Sequence, residues 1–387
     1  MHIAWLGKKF PFCGNVTYGR ETTNALLGRG HRVSFFHFSS DDDASGPDSK
    51  TPGVQSDFNE VPLPYLYKSQ IYTIPSLRSS RVLKDALRRL KPDVVHASLA
   101  LSPLDFRLPE ICADLGLPLV ATFHPAFDIQ RRNLTSNTQQ LTYQIYAPCL
   151  AEYDRVIVFS DIQRQLLHRL GVPQSRISVI PNGVDSAKYS PGLSYHKARL
   201  QADRLFVYQG RLSLEKNVES LLRAWKQSNM GSASKLVIMG SGPLEPMLRT
   251  AYGEDLGIVW LGFVADEQRR IDILRSADVF ILPSLVEGLS LSLLEAMACQ
   301  TACIATNVGA DGEVLGRGAG IVLTTQRVTT QLQTLLPLCR DQPELTHHLG
   351  QTARQRVLEC YTLQQNIARL ESLYSQLEQQ HVVLSRS

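Results

Sequence analysis

Two successive doubly wound α/β domains are what this sequence predicts, and three observations carry that reading. Short apolar runs alternate with helix-length segments through the first half, a polar stretch from Ser186 to Asp203 interrupts the alternation, and the same alternation then restarts. Strands joined by helical crossovers lie parallel in a sheet covered on both faces, which is why their apolar runs are continuous. A chain of 387 residues is long enough for two such domains, with cores that need neither disulfides nor a structural metal.

In chain order, His2 to Leu6 is a first strand ending at Gly7, and a polar loop containing Gly14 leads into a helix from Tyr18 to Leu27. His31 to Phe38 is the next strand and Leu83 to Leu90 a helix; Val94 to Ala97, Leu119 to Phe123 and Val156 to Phe159 are buried strands. The turn Pro181-Asn182-Gly183 precedes the polar stretch, which carries Pro191-Gly192, both signals of irregular chain. Beyond it Phe206 to Tyr208, Leu236 to Met239, Val259 to Leu261, Val279 to Leu282 and Ala302 to Ala305 repeat the strand pattern. From Thr362 to Gln379, Ile367, Leu370, Leu373, Tyr374 and Leu377 keep an amphipathic helical spacing without Gly or Pro. The predicted organisation is therefore a first domain over 1–186, a linker over 187–203, a second domain over 204–361 and a closing helix over 362–387.

Composition excludes several classes. Hydrophobic residues make up 43% and charged residues 20% of the chain, and the mean hydropathy is −0.10, a balance that fits neither disorder nor an integral membrane protein. No apolar run reaches the roughly 18 residues of a membrane-spanning helix. The N-terminus turns polar at Lys8 and Lys9 before a signal region can form, which predicts a cytoplasmic protein. Seven cysteines from Cys13 to Cys360, without paired spacing, predict reduced thiols. A net charge of +4 is too mild for nucleic acid, yet it is compatible with a phosphate-bearing ligand or an anionic membrane surface.

Ligands of open α/β sheets gather at the carboxyl ends of the strands, and the chemistry-bearing residues are found there. Glu287-Gly288-Leu289-Ser290 follows the strand Val279 to Leu282, so Gly288, Leu289 and Ser290 are expected to begin a helix whose free N–H groups hold a phosphate. Glu287 in the loop can accept hydrogen bonds from sugar hydroxyls, and Glu295, two turns on, can reach a ribose diol. The alternative is two solvated glutamates flanking an ordinary capped helix. Gly210-Arg211-Leu212-Ser213-Leu214-Glu215-Lys216 follows the strand Phe206 to Tyr208, and an Arg fork with a Lys on one loop suits a diphosphate. The alternative there is a surface loop with Lys216 at the start of the next helix.

Arg211 with Lys216, the Glu287/Glu295 pair at E-x7-E spacing, Pro181-Asn182-Gly183-Val184-Asp185, Thr306 to Glu313 and the opening strand with its glycine loop resemble the retaining glycosyltransferases of family GT4. That resemblance, which runs from the first strand to about residue 325, implies the two-domain GT-B fold, with an acceptor-side first domain and a nucleotide-sugar-binding second domain. It also implies a nucleotide-sugar donor, UDP-linked, as substrate with no cofactor and no metal, and transfer with retention. By resemblance Arg211 and Lys216 neutralise the leaving diphosphate, Glu287 orients the transferred sugar and Glu295 binds the ribose. His124, in Thr-Phe-His-Pro-Ala-Phe-Asp, matches the family's active-site histidine, whose neutral imidazole can hydrogen-bond the donor sugar's primary hydroxyl. Asp128 would orient it or touch the acceptor, or is a plain turn residue. Gly14 matches part of the glycine loop that lets backbone approach the donor, here in Cys13-Gly14-Asn15 with one glycine where many relatives have two. Gly309-Ala310-Asp311-Gly312-Glu313 also departs from the family, which often has Gly-Gly before the glutamate.

The segments from Trp5 to Asn15 and from Thr122 to Asp128 look like cyanobacterial GT4 enzymes of the digalactosyldiacylglycerol synthase type. This implies galactose from UDP-galactose and a membrane galactolipid acceptor; the alternatives are a soluble sugar or polysaccharide precursor, or a nucleotide-sugar-binding protein without turnover. Tyr65, Leu66, Tyr67, Ile71, Tyr72, Ile74 and Leu77 run into Arg78, Arg81, Lys84, Arg88, Arg89 and Lys91, as in proteins that sit on anionic lipid. The alternative is a buried loop and the solvated face of a crossover helix.

Overall fold

The computed structural model describes residues 1–9, 13–39, 59–69, 72–99, 101–126 and 134–384. Contacts divide the chain into two units. The first is built from Met1–Pro125, the segment that ends at Pro181 and the chain end from Asn366 onward; the second from Asn182–Gln365. Residues from Asn366 to the end of the helix Leu363–Leu384 thus belong to the first unit.

In the first unit β1 (His2–Leu6), β2 (Arg32–Phe38), β3 (Asn59–Leu63), β4 (Tyr65–Lys68), β5 (Thr73–Pro75), β6 (Val94–Ser98), β7 (Leu119–Thr122), β8 (Arg155–Val158) and β9 (Ile177–Val179) follow one another. Seven of them form a parallel sheet in the order β3-β2-β1-β6-β7-β8-β9, while β4 and β5 pair separately as an antiparallel hairpin. In the second unit β10 (Arg204–Gln209), β11 (Ser234–Met239), β12 (Ile258–Gly262), β13 (Val279–Leu282), β14 (Ala302–Thr306) and β15 (Ile321–Leu323) form a parallel sheet ordered β12-β11-β10-β13-β14-β15. Each order reverses direction beside its first strand, between β1 and β6 and between β10 and β13, and such switch points are where open sheets leave room for a ligand.

The central strands are buried along their whole length, as their unbroken apolar runs require. Strands β3, β9 and β15, absent from the sequence reading, all lie at sheet edges. β3 contains Pro62, tolerated there because one side of an edge strand needs no donor. The buried-loop alternative for the Tyr65 to Leu77 segment fails, because its described part is the hairpin β4/β5, with Leu66, Tyr67, Tyr72, Ile74 and Leu77 exposed. Ile71 lies outside the described residues.

A buried contact to His96 anchors the chain end. Tyr374 on the last helix bonds to Nδ1 of the fully buried His96 at 2.5 Å, and His96 Nε2 meets Thr122 Oγ1 at 2.7 Å while its ring stacks on Trp5 at 4.1 Å. Burial, then the neighbouring His124, pushes the His96 imidazole down to about 3, so it is a neutral structural group. Tyr374→Phe would leave a buried ring nitrogen without a partner and is expected to cost about 1–3 kcal/mol. A thermal-melt series measures it; an unchanged Tm would mean that the contact contributes nothing.

Within the second unit, Val184 bridges Thr362, with Leu363 donating to the Val184 carbonyl at 2.9 Å. A Cβ at Gly183 would stand 2.7 Å from Leu363 Cα, so the glycine of the Pro-Asn-Gly-Val-Asp motif is required by backbone packing.

Candidate active site

The candidate residues divide between the units: Gly14 and His124 belong to the first, and Gly210, Arg211, Lys216, Glu287, Gly288, Leu289, Ser290 and Glu295 to the second. Each unit gathers its own cluster at the carboxyl ends of its strands.

In the second unit β10 ends at Gln209 and opens into the loop that holds Arg211 and Lys216. This loop is tied down by backbone bonds from Gly210 N–H to Met239 and from Leu212 N–H to Ser241, at 2.9 and 3.0 Å. Tyr208 hydroxyl donates to the Arg211 carbonyl at 2.8 Å, fixing the backbone that carries the guanidinium. Lys216 ends a short 3-10 turn, and its Nζ lies 2.5 Å from Glu287 Oε1, which also accepts from Ser284 Oγ at 2.8 Å. Glu287 is buried, and its Oε2 has no partner among the described residues. Arg211 has no ion-pair partner among them, so the pocket keeps one uncompensated cation.

The helix that was expected from Gly288 begins at Leu291, with Ser290 as its cap; Ser290 Oγ accepts from Leu293 N–H. The carbonyls of Gly288 and Leu289, just before the cap, are bonded elsewhere. Gly288 accepts from Ala310 N–H at 2.7 Å, and Leu289 from Asn182 Nδ2 at 3.1 Å, partners outside the helix that begins at Leu291. Gly309, at φ 54°, packs so tightly that a Cβ would stand 2.3 Å from the carbonyls of Glu287 and Gly288. The first-turn N–H groups that remain for an anion are those of Leu291 and Ser292.

Asp311, which the sequence reading does not select, completes the turn. Its Oδ1 accepts from Ser290 N–H at 3.0 Å, while its Oδ2 is buried without a partner. Burial, then the charge of Glu287, pushes this carboxyl well above the usual carboxylate range. Only the folded packing brings it to Glu287, 24 positions earlier, and nothing in the local sequence signals that.

Glu295 lies on the same helix, buried, with Oε2 accepting from Gln209 Nε2 at 2.7 Å at the end of β10. Burial raises its pKa from an ordinary 4.5 to about 7, against the opposing charge of Arg270 and the bond from Gln209. A raised carboxyl holds its proton in the folded protein after the unfolded chain has released it, so stability falls as pH rises through that window. Glu295→Gln removes the penalty and is expected to raise stability at pH 8 by on the order of 3 kcal/mol, with little effect at pH 4. Equal melting shifts at both pH values would show that the carboxyl is not strained by ionisation.

In the first unit, Gly14 starts the helix Gly14–Gly28, and a Cβ added there would meet no protein atom within 4 Å. His124 follows β7, with Nε2 2.8 Å from Ser98 Oγ and its ring against the edges of Tyr18 and Phe159 at 5.0 and 5.3 Å between centroids. Burial, then the charge of Lys8, pushes this imidazole down to about 3. Lys8 is itself buried, and its pKa is lowered by that burial. Asp105, fully buried beside it, is pushed up to about 6 although it accepts from Ser102 N–H and Tyr146 hydroxyl, each at 2.9 Å. Gly7, His37, Leu63, Ser98, Leu99 and Asp105 line a cavity of about 20 Å³, room for one water. The sequence reading misses Lys8 and Asp105 as site residues, since nothing local marks either as buried. Asp128 and residues 10–12 lie outside the described residues. Among the described residues no group of three His, Cys, Asp or Glu side chains gathers as metal ligands would.

Comparison with known proteins finds matches to both halves of the chain. Residues 14–188 match Glycosyltransferase Family 4 and residues 196–356 match Glycosyl transferases group 1. The chain is 27% identical to the UDP-Gal:alpha-D-GlcNAc-diphosphoundecaprenol alpha-1,3-galactosyltransferase of Escherichia coli over 79% of this chain and 80% of that one. It is 24% identical to the N-acetyl-alpha-D-glucosaminyl L-malate synthase of Bacillus anthracis over 93% of each. Its fold matches the Anabaena protein HepE in complex with UDP, with TM-score 0.77 and 15% identity over 97% of this chain and 100% of that one. A sucrose-phosphate synthase from Thermosynechococcus elongatus matches with TM-score 0.76 and 20% identity over 97% of this chain and 98% of that one. With both halves matched, and each sheet carrying its cluster at the strand ends, the chain belongs to the GT4 glycosyltransferases of GT-B fold and is an enzyme that transfers sugars.

Proposed function

We propose that this enzyme is a retaining, metal-independent hexosyltransferase that moves galactose from UDP-galactose onto a membrane glycolipid, a galactolipid in the first instance. The observation that carries the donor side is the cluster in the second unit: free Arg211, Lys216 held on Glu287, and the capped helix from Leu291. Two cations and a helix N-terminus suit a diphosphate, and fixed charges of this kind favour the state in which the leaving group gains charge. Glu295 and Gln209 supply acceptors for a ribose diol, and Glu287 Oε2 an acceptor for the transferred sugar. By the family resemblance, the neutral ring of His124 is assigned to the sugar's primary hydroxyl. The Escherichia coli relative named for UDP-Gal supports galactose, and the HepE complex supports UDP.

The acceptor class rests on the hairpin. Leu77 is fully exposed and Leu66 is 72% exposed, and the helix Ser79–Leu90 that follows carries cations. Lys84 is paired with Asp114 and Arg88 with Asp85, which leaves Arg78, Arg81, Arg89 and Lys91 as the cations facing solvent. At about 1 kcal/mol per basic residue near an anionic surface, these four and the apolar tip form a peripheral lipid-docking face. Among the described residues no helix is long and apolar enough to cross a membrane.

The deciding experiment incubates the protein with UDP-galactose and membrane lipid extract and identifies the product. Transfer to a lipid with an α linkage is expected; transfer only to soluble sugars would favour the second reading, which the near full-length match to the malate synthase supports. Flotation with phosphatidylglycerol vesicles at low salt tests the docking face. Each of Arg78→Glu and Arg81→Glu is expected to weaken binding at least fivefold, since about 1 kcal/mol is lost per charge before repulsion is added. Wild-type protein that fails to float would remove the membrane from the proposal.

A further inference from the structure

We propose that Asn15 and Ser98 fix the tautomer of His124, so that the ring presents an unprotonated Nδ1 as an acceptor for a hydroxyl hydrogen of the substrate. The assignment follows from counting protons along one chain of contacts, all within the first unit. Asn15, in the first turn of the helix Gly14–Gly28, places Nδ2 3.3 Å from the Leu99 carbonyl. A carbonyl only accepts, so the amide nitrogen must face Leu99 and the amide oxygen must face Ser98, whose Oγ is 2.9 Å from Asn15 Oδ1. Ser98 is buried and has one proton, and Asn15 Oδ1 takes it. The 2.8 Å contact between Ser98 Oγ and His124 Nε2 can then be made only if Nε2 carries the hydrogen and donates. A neutral imidazole holds a single N–H, so Nδ1 is left with its lone pair, and it has no partner among the described residues. Tyr18 and Phe159 pack against the ring and hold its plane.

Neither Asn15 nor Ser98 touches the reacting atoms in this scheme; both are positioning residues that act through His124. The consequence is directional. A ring with a bare Nδ1 recognises a group that can donate a hydrogen, and discriminates against one that can only accept. The proposal rests on the sugar-facing role of His124 given above, but the tautomer can be read without any substrate.

The test has two arms. Long-range 1H–15N correlation spectra of histidine-labelled protein report which ring nitrogen is protonated; the wild type is expected to show His124 as the Nε2–H form. In Asn15→Leu the Ser98 hydrogen loses its acceptor and turns to Nε2, so the Nδ1–H form is expected, whereas Ser98→Ala should give a mixture and serves as the second variant if the first folds poorly. A wild-type ring protonated at Nδ1 overturns the proposal outright. The second arm compares UDP-galactose with its 6-deoxy-6-fluoro analogue, which cannot donate at that position. Wild type should turn over the fluoro donor about tenfold more slowly, the value of one hydrogen bond, and the gap should narrow in Asn15→Leu. Equal turnover of the two donors by an Nε2–H wild type would leave the tautomer assignment standing and overturn the role of His124 at the primary hydroxyl.

Discussion

Removing both cations of the second unit, in Arg211→Ala with Lys216→Ala, is expected to lower turnover by roughly 10²–10³-fold or more, the scale of losing preorganised charge stabilisation at a developing anion. The reason lies in where the charges stand. Arg211 is on a loop pinned by the Tyr208 hydroxyl and by bonds to β11 and the residue pair beyond it, and Lys216 is held by Glu287, so neither has to be reorganised when the diphosphate departs. Breaking the bond to the sugar increases negative charge on the leaving oxygen, and a fixed cation gains more there than in the ground state. Donor affinity should fall as well, because the diphosphate is already charged when it binds. The measurement is steady-state kinetics with isothermal titration of UDP, and normal kinetics in the double variant would remove the loop from the site.

The separate effects of the two cations should differ. Lys216 shares its charge with Glu287, whereas Arg211 has no acidic partner among the described residues, so Arg211→Ala should weaken UDP binding more than Lys216→Ala. Lys216→Ala has a second consequence, because it leaves the buried Glu287 with Ser284 as its one remaining donor among the described residues, beside the raised Asp311 carboxyl.

How much of this was legible depends on the range of the interaction concerned. The central strands are apolar along their length, so β1, β6, β7, β10, β11, β13 and β14 could be read from their apolar runs, and two doubly wound domains with them; the GT-B fold was implied by the family resemblance. β9 and β15 are three residues long, and β3 carries Pro62; at such edges pairing with a neighbour, not pattern, makes the strand. The loop residues Arg211, Lys216 and Glu287 were legible because they follow strongly apolar strands and so fall at the ligand-binding ends. Asp311 was legible only as a departure from a family motif, and its burial against Ser290 is a long-range fact. Lys8 and Asp105 are similar cases, since a lysine in a polar loop gives no sign that it will be buried. The helix start was misread by three residues because the carbonyls of Gly288 and Leu289 bond to Ala310 and Asn182, partners that local capping rules cannot see.

Glu287→Gln is the second large effect, and it tests the geometry of the whole cluster. The substitution keeps the shape and one acceptor for Ser284, but it replaces the carboxylate beside Lys216 with a neutral amide. With one negative charge gone from beside the two cations, UDP affinity should be unchanged or slightly higher. Turnover should fall by at least tenfold, about 1.4 kcal/mol of barrier, because the acceptor for the sugar hydroxyl is weakened where the reacting carbon is oriented. The product should keep the α configuration of the donor. An inverting enzyme needs a protein base on the acceptor's side, and neither Glu287, which is held by Lys216 and Ser284, nor His124, whose basicity is pushed down to about 3, is offered for that role. The retention proposed for this enzyme would leave the acceptor's proton to an oxygen of the departing phosphate. NMR of the product from UDP-galactose reads the linkage directly. An α-linked product from the variant at reduced rate is expected; unchanged turnover would remove Glu287 from the sugar site, and a β-linked product would overturn the mechanism together with the roles of Glu287 and His124.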